Sequence, residues 1–114
     1  MQYIGLIHGD QEHWASLADD ERQAVYQRYT AFAEKPEVVG GVELQETTTA
    51  TTVRVRNGDT MVTDGPYAEV KEALGGLFVL EADSIEDACR IAAEIPAAEH
   101  GAVEVRPVYV REDS

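Results

Sequence analysis

The sequence predicts one α+β domain in which two helices cover an antiparallel sheet and a β-hairpin is inserted between two of its strands. The chain has 114 residues, a length that suits a single domain over 1–114. Strand-like and helix-like segments follow one another in the order β-α-β-β-β-β-α-β. Two of the strand-like segments flank an Asn-Gly pair, the strongest short-range hairpin signal. Without the hairpin, this order is that of a split β-α-β unit, the ferredoxin-like plan.

The first third of the chain predicts a strand and a long helix. Residues 3–7 are apolar at nearly every position, which is typical of a strand covered on both faces. His8-Gly9-Asp10 ends this strand, and a helix begins near residues 16–20 and ends before Pro36. The apolar stripe of that helix consists of Val25, Tyr29, Phe32 and Ala33.

The middle of the chain predicts a kinked strand and the hairpin. Residues 38–44 form a strand that is kinked or bulged at Gly40-Gly41. The hairpin strands, around 53–56 and 59–63, flank Asn57-Gly58. With a two-residue turn, the facing pairs are Arg56 with Asp59, Val53 with Val62, and Arg54 with Met61.

The last third predicts a strand, a helix and a closing strand. Residues 77–80 are apolar on both faces, and Ser84 caps the helix that follows. The apolar stripe of this second helix consists of Ile85, Ala88, Cys89 and Ala92. Residues 102–110 alternate, with Val103 and Val105 on one face and Glu104 and Arg106 on the other. Pro107 favours an edge position for this strand.

The apolar strands predict a homodimer. Two helices cover only one face of the sheet, yet residues 3–7 and 77–80 are apolar on both faces. A second copy of the chain, packed sheet to sheet, is the simplest cover for the other face.

Charge and composition exclude several classes of partner. Nine basic and 22 acidic residues give a net charge of −13, which disfavours nonspecific nucleic-acid binding and docking on anionic membranes. The sequence has no apolar run near the roughly 20 residues of a membrane span and no visible signal peptide, so we expect a cytoplasmic location. Cys89 is expected to be an inert core thiol, and as the single cysteine it forms no internal disulfide.

The most distinctive stretch is residues 63–72, Thr-Asp-Gly-Pro-Tyr-Ala-Glu-Val-Lys-Glu. Its Asp-Gly-Pro predicts a turn. The stretch resembles the motif of the DGPF (DGPFAETKE) family within the YCII-related superfamily, with Tyr67 in the Phe place and Val70 in the Thr place. Other segments that resemble the family extend over nearly the whole chain and comprise 1–10, 49–54, 74–76, 96–98 and 103–108.

The resemblance implies a dimeric ferredoxin-like α/β barrel without an established activity. Relatives in the wider superfamily include lactone-processing and dechlorinating proteins. Some DGPF members occur beside, or fused to, extracytoplasmic-function sigma factors. In the superfamily, the His of a proposed His–Asp pair lies on the first helix and the Asp precedes a Pro near the second helix. This pair cannot be carried over to the present chain, because residues 22–35 of the first helix contain no His and the residues before Pro96 are Glu94 and Ile95.

Three residues are candidates for acid–base chemistry: Asp64, His8 and His100. His8 ends the first strand and His100 precedes the last, and the terminal strands of this fold need not be far apart. Asp64 equally fits a turn residue that bonds the Gly-Pro backbone. His13 lies in a polar segment and is expected to be exposed.

The candidates for ligand binding are Arg54, Tyr67, Glu69, Lys71, Glu104 and Arg106. Either Arg54 or Arg106 suits bidentate binding of a carboxylate, although a structural Arg–Glu pair explains them equally well. Tyr67 suits a hydrogen bond to a ligand or simple packing. Glu69 and Lys71 suit a polar ligand or a solvated strand edge.

Two functions remain open at this point. The first is a cofactor-independent enzyme of lyase, isomerase or hydrolase type that acts on a small carboxylate or lactone. The second is a noncatalytic ligand-binding or regulatory module associated with sigma-factor-dependent transcription. We expect no metal or cofactor, because the histidine spacing is not a metal signature and the glycine pairs lack a phosphate-loop context. An ionisable pair in a concave site favours the enzyme, whereas an exposed apolar patch beyond the dimer surface favours the module.

Overall fold

The computed structural model describes residues 1–111, which form two antiparallel sheets and three α-helices. Their bounds are β1 Gln2–Asp10, α1 Gln11–Ser16, α2 Asp19–Ala33, β2 Val38–Glu43, β3 Thr51–Arg56, β4 Asp59–Asp64, β5 Glu72–Glu81, α3 Ile85–Ala92 and β6 Ala102–Pro107. Short 3-10 helices lie at Thr47–Thr49 and Pro96–Glu99. None of the helices among residues 1–111 is long and apolar enough to cross a membrane.

The larger sheet has four strands in the order β2-β5-β1-β6, and every neighbouring pair is antiparallel. Each of its crossovers contains a helix, and β3 and β4 form a separate two-stranded sheet inserted between β2 and β5. The mixed α+β architecture is therefore consistent with the predicted ferredoxin-like plan. The predicted edge position of Pro107 is confirmed, because β6 is an outer strand.

The core lies on one side of the larger sheet. β1 places Tyr3 and Ile7 there, and β5 adds Leu80. The helical side contributes Phe32, Ala88, Ala92 and Ile95. Leu80 and Ile95 are fully buried, and each such side chain stabilises the fold by about 1.5–3 kcal/mol relative to an exposed position.

The opposite side of this sheet, here named the open face, is only half covered. Its alternating side chains include Ile4 and Leu6 on β1, which stay half-buried, and Val42 on β2, which is exposed. The described chain is 18 Å thick along its shortest axis. That thickness matches one sheet layer and one helix layer, so no second layer lies on the open face.

A β-bulge interrupts the pairing of β1 with β5. Ile7 pairs with Gly76, but the next residue, His8, pairs with Leu74, so Gly75 is the extra residue. The bulge leaves Ala73 buried and Leu74 exposed. The predicted irregularity at Gly40-Gly41 is also present, as a register shift between Val38 and Gly40.

The hairpin has the register that the Asn-Gly pair predicts. Val53 pairs with Val62, Arg54 with Met61, and Arg56 with Asp59. The turn residues Asn57 and Gly58 both have positive φ, 53° and 81°, as a type I′ turn requires. The strands are exposed along almost their whole length. The radius of gyration is 16.3 Å, whereas a compact chain of this length has about 13 Å, because the hairpin projects from the body.

Three expectations about the helices are wrong. The structure has a third helix, α1, where two helices were predicted, because Asp10 ends the strand by capping this short helix. Its carboxylate accepts hydrogen bonds from the backbone N–H groups of Glu12 and His13. His13 is accordingly half-buried rather than exposed. Cys89 is exposed rather than in the core, because α3 buries the side that carries Ala88 and Ala92.

Candidate functional site

His8 and Glu104 form an ionisable pair on the open face. The Nε2 atom of His8 lies 3.2 Å from Oε1 of Glu104. The two residues lie diagonally on neighbouring strands, since His8 pairs with Ala102 and Glu104 pairs with Leu6. Their side chains are 31% and 52% exposed, so both are accessible to a small molecule.

Arg106 lies on the same face, two residues beyond Glu104 on β6 and opposite Ile4. Within residues 1–111 its guanidinium has no hydrogen-bond or ion-pair partner. The predicted alternation of β6 is confirmed, because Val103 and Val105 pack on the core side. The open face therefore combines an acid–base pair and an unpaired cation on an apolar surface.

His100 stacks on His13, with the ring centroids 3.9 Å apart, and in the described part of the chain no ring contact or hydrogen bond joins its side chain to His8. His100 follows the 3-10 helix Pro96–Glu99. This segment is tied to α2 by a bidentate pair between Arg28 and Glu99, with one N–O distance of 3.1 Å. The Arg28 guanidinium, chiefly through this hydrogen bond, holds the pKa of the Glu99 carboxyl below its usual value. The pair thus fixes the loop that positions His100.

The 63–72 motif closes the base of the hairpin. Gly65 adopts a positive φ of 100°, its N–H donates to the Ala50 carbonyl at 2.7 Å, and its own carbonyl accepts from the Thr52 hydroxyl at 2.7 Å. Asp64 ends β4, pairs with Thr51 and is exposed. In the described part of the chain, no hydrogen bond joins Asp64 to a histidine. The geometry of one chain therefore does not place Asp64 beside His8.

A YCII-related domain matches residues 1–111. The chain belongs to the YCII-related family. A similar protein from Rhizobium meliloti (strain 1021), named as uncharacterized, is 32% identical over 114 residues, which cover 95% of this chain and 92% of the relative.

In this YCII-related chain the remaining predicted ligand residues lie in the 63–72 motif or on the hairpin. Tyr67 is 81% exposed, and Arg54 lies on the exposed hairpin. Lys71 approaches Asp10, with Nζ 3.8 Å from Oδ2. A cavity of about 280 Å³ is lined by Thr47, Thr48, Pro66, Ala68, Glu69, Val70 and Ala73. Four motif residues therefore line this cavity, Glu69 is the one predicted ligand residue among them, and within residues 1–111 no hydrogen bond or ion pair joins the motif to the His8–Glu104 pair.

A larger, shallow depression of about 560 Å³ contains none of the predicted site residues. It is lined by Met1, Glu37, Glu81, Ala82, Asp83, Asp87, Arg90 and Ile91. Its cations are already occupied, because the N-terminal amine lies 3.6 Å from Glu81 and Arg90 contacts Asp87. Among residues 1–111, no group of three or more His, Cys, Asp or Glu has the geometry to hold a metal ion. The His8–Glu104 pair is thus the better candidate site.

Sequence reasoning about this YCII-related domain missed the pairing itself. For Glu104 the sequence predicts ligand binding or a structural pair with an arginine, not a contact with His8. The signal was present in the split β-α-β plan, which makes the first and last strands neighbours. The position of Glu104 on the face opposite Val103 then places it beside His8. The His13–His100 stack had no such signal, because α1 is too short to show a periodic pattern.

Proposed function

We propose that this YCII-related protein is a cofactor-independent acid–base enzyme, of lyase, isomerase or hydrolase type, acting on a small carboxylate or lactone. The observation that carries the proposal is the 3.2 Å contact between His8 Nε2 and Glu104 Oε1 on the open face. The Asp64-Gly65-Pro66 motif supports the further proposal that the chain belongs to the DGPF branch.

His8 serves as the general base or acid. A carboxylate only accepts hydrogen bonds, so Nε2 carries the proton that is donated to Glu104. The Nδ1 atom then keeps its lone pair and can take a proton from the substrate. Glu104 orients the ring and stabilises the imidazolium that forms, as carboxylates do beside catalytic histidines.

Arg106 holds the substrate carboxylate. A guanidinium matches a carboxylate with two parallel hydrogen bonds, and this one has no partner in residues 1–111. Its backbone position is four residues from Ala102, the partner of His8, which is roughly 13 Å along a strand. The long arginine side chain spans part of that distance, which suits a substrate of a few carbon atoms.

The enzyme works as a homodimer in this proposal. The open face exposes Ile4 and Leu6 beside the pair, and this apolar surface favours cover by a second protein layer. Exclusion of water strengthens every electrostatic interaction in a site. Cover by a second copy therefore serves both the stability of the sheet and the chemistry.

A noncatalytic binding or regulatory module is the second candidate, including the association with a sigma factor that was expected from the resemblance. The observation that favours it is the exposed apolar surface of the hairpin, where Val53 and Val62 are 61% and 63% exposed. Such surfaces commonly mark protein interaction sites.

The test is a screen of small lactones and carboxylic acids with the wild-type protein, followed by comparison of His8→Gln with His13→Gln. Loss of turnover in His8→Gln alone supports the enzyme. His13 is the matched control, because it is a half-buried histidine whose contact is with another ring. Equal turnover in both variants overturns the role of His8, and binding without turnover of any compound favours the module.

A further inference from the structure

The hairpin of residues 51–64, here named the arm, is incomplete as an isolated element. It has two six-residue strands, and no third strand among residues 1–111 pairs with it. A lone two-stranded hairpin is at best marginally stable in water. Its valines Val53, Val55 and Val62 are 58–63% exposed. The arm therefore needs a surface that the chain's own fold does not supply.

The two faces of the arm differ in character. The register places Val53, Val55 and Val62 on one face, named the valine face. Arg54 and Met61 lie on the other face, which is polar apart from Met61. A ribbon that is apolar on one face is typical of a strand pair packed by that face.

The open face of the four-stranded sheet is likewise an apolar surface that is not fully covered. Ile4 and Leu6 on β1 and Leu77 and Val79 on β5 form an apolar surface that is only half covered. The arm of the same chain does not cover this surface, since its valine face is exposed in the same structure. One chain thus has two apolar surfaces, an arm and a sheet face, and neither covers the other.

A second copy of the chain covers both apolar surfaces, the valine face of the arm and the open face, at once. In a two-fold dimer each protomer supplies one arm and one sheet face, so the same contact occurs twice. A stable interface has roughly 20–30 residues a side, more than the arm of residues 51–64 contains, so the arm and the open face must both take part.

The charge distribution favours the same occupant. The arm contains two arginines and two aspartates and is neutral, so the whole net charge of −13 lies outside it. Arg54 and Arg56 have no acidic partner within residues 1–111. The arm is thus the part of the chain that can approach another acidic copy without like-charge repulsion.

We propose that each arm lies with its valine face across the open face of the partner subunit and forms a roof over the partner's His8–Glu104 pair. The role of the arm as a cover over an active site rests on the proposed function, whereas the docking of the arm on the partner's open face does not. As a result, one active site is built from two chains. His8 and Glu104 come from one protomer, and the cover that excludes water comes from the arm of the other.

The test compares Val62→Asp with Met61→Asp. The two residues are neighbours on β4, have similar exposure in the isolated chain and point to opposite faces of the arm. We expect a dimeric wild type in sedimentation equilibrium, a dimer dissociation constant raised about tenfold or more in Val62→Asp, and a change within about threefold in Met61→Asp. A monomeric wild type, or equal effects of the two substitutions, overturns the proposal.

A second measurement does not depend on a disruptive variant. A photo-crosslinking amino acid is placed at position 62, and at position 61 as control, in a mixture of two chains with different tags. We expect position 62 to capture the differently tagged chain at residues 4–8 or 77–79. Capture within the same chain, or a dimer whose arms capture nothing, overturns the arm contact. The two experiments measure the mass of the oligomer and the site of the crosslink, and neither measures turnover. A negative result here can therefore be told apart from a negative result in the His8 turnover test.

Discussion

The Nε2 atom of His8 lies 3.2 Å from Oε1 of Glu104, although 96 positions separate the two residues in the chain. The contact exists because the split β-α-β plan makes the first and last strands neighbours. It gives the open face an ionisable pair whose two members can be removed separately.

Replacing Glu104 with Gln tests the role of the carboxylate. The amide keeps the size of the side chain but no longer stabilises an imidazolium on His8, so we expect kcat to fall by about 10- to 100-fold. The control is Glu86→Gln on the exposed side of α3. The measurement is steady-state turnover of whichever compound the wild type converts, and an unchanged kcat in Glu104→Gln contradicts the role.

Replacing Arg106 with Lys tests the recognition of a carboxylate. A lysine keeps the charge but loses the paired hydrogen bonds, so we expect KM to rise by about tenfold with a smaller change in kcat. Arg54→Lys is the matched control, because Arg54 is likewise unpaired within residues 1–111 but lies on the polar face of the arm. If the KM of Arg106→Lys equals that of the wild type, Arg106 does not bind the substrate.

Replacing Gly58 with Ala tests the turn of the arm. Gly58 has a φ of 81°, where an L-residue is strained by about 1 kcal/mol. We expect the Tm to fall by about 3–5 °C, or protection from amide exchange in the arm to be lost if the arm opens separately. Gly75→Ala is the control, because a Cβ there meets nothing within 4 Å and its φ is not positive. Equal stability of the two variants contradicts the turn assignment.

The Arg28–Glu99 pair predicts a component of acid denaturation. Because the folded pKa of Glu99 is lowered, the stability that the pair contributes is fully present above the unfolded value, about 4.3, and is lost as the pH falls through the folded value. We expect Glu99→Gln to be less stable than the wild type at neutral pH and to lose less stability on acidification. The measurement is Tm against pH, with Glu86→Gln as control. If the Tm of Glu99→Gln and the Tm of the wild type change in parallel with pH, the Arg28–Glu99 pair does not contribute to acid denaturation.

Local patterns in the sequence were sufficient for much of the fold. The register of the arm follows from Asn57-Gly58, because a two-residue turn fixes every facing pair. The two faces of β6 follow from the alternation of Val103 and Glu104. These features depend on residues that are close in the chain, and the strand periodicity of two leaves little freedom.

Other features depend on contacts that no local pattern encodes. The predicted apolar stripe of α3 includes Cys89 beside Ala88 and Ala92, and the two alanines are buried but Cys89 is not, because the buried side is set by where the helix meets the sheet. The cap at Asp10 starts a helix of only six residues, too short for a periodic signal. The partner of His8 follows only from combining the strand order with the side-chain alternation of β6.

The bulge at Gly75 sets the phase of everything that precedes it on β5. In a strand without the bulge, Gly75 would pair with His8, so Leu74 would face the core side and Ala73 the open face; the extra residue reverses this and buries the small side chain instead of the large one. The 63–72 segment, which runs directly into β5, takes its orientation from the same reversal. The number of residues between Asp64 and the bulge therefore decides which side of the sheet each residue at the start of β5 faces.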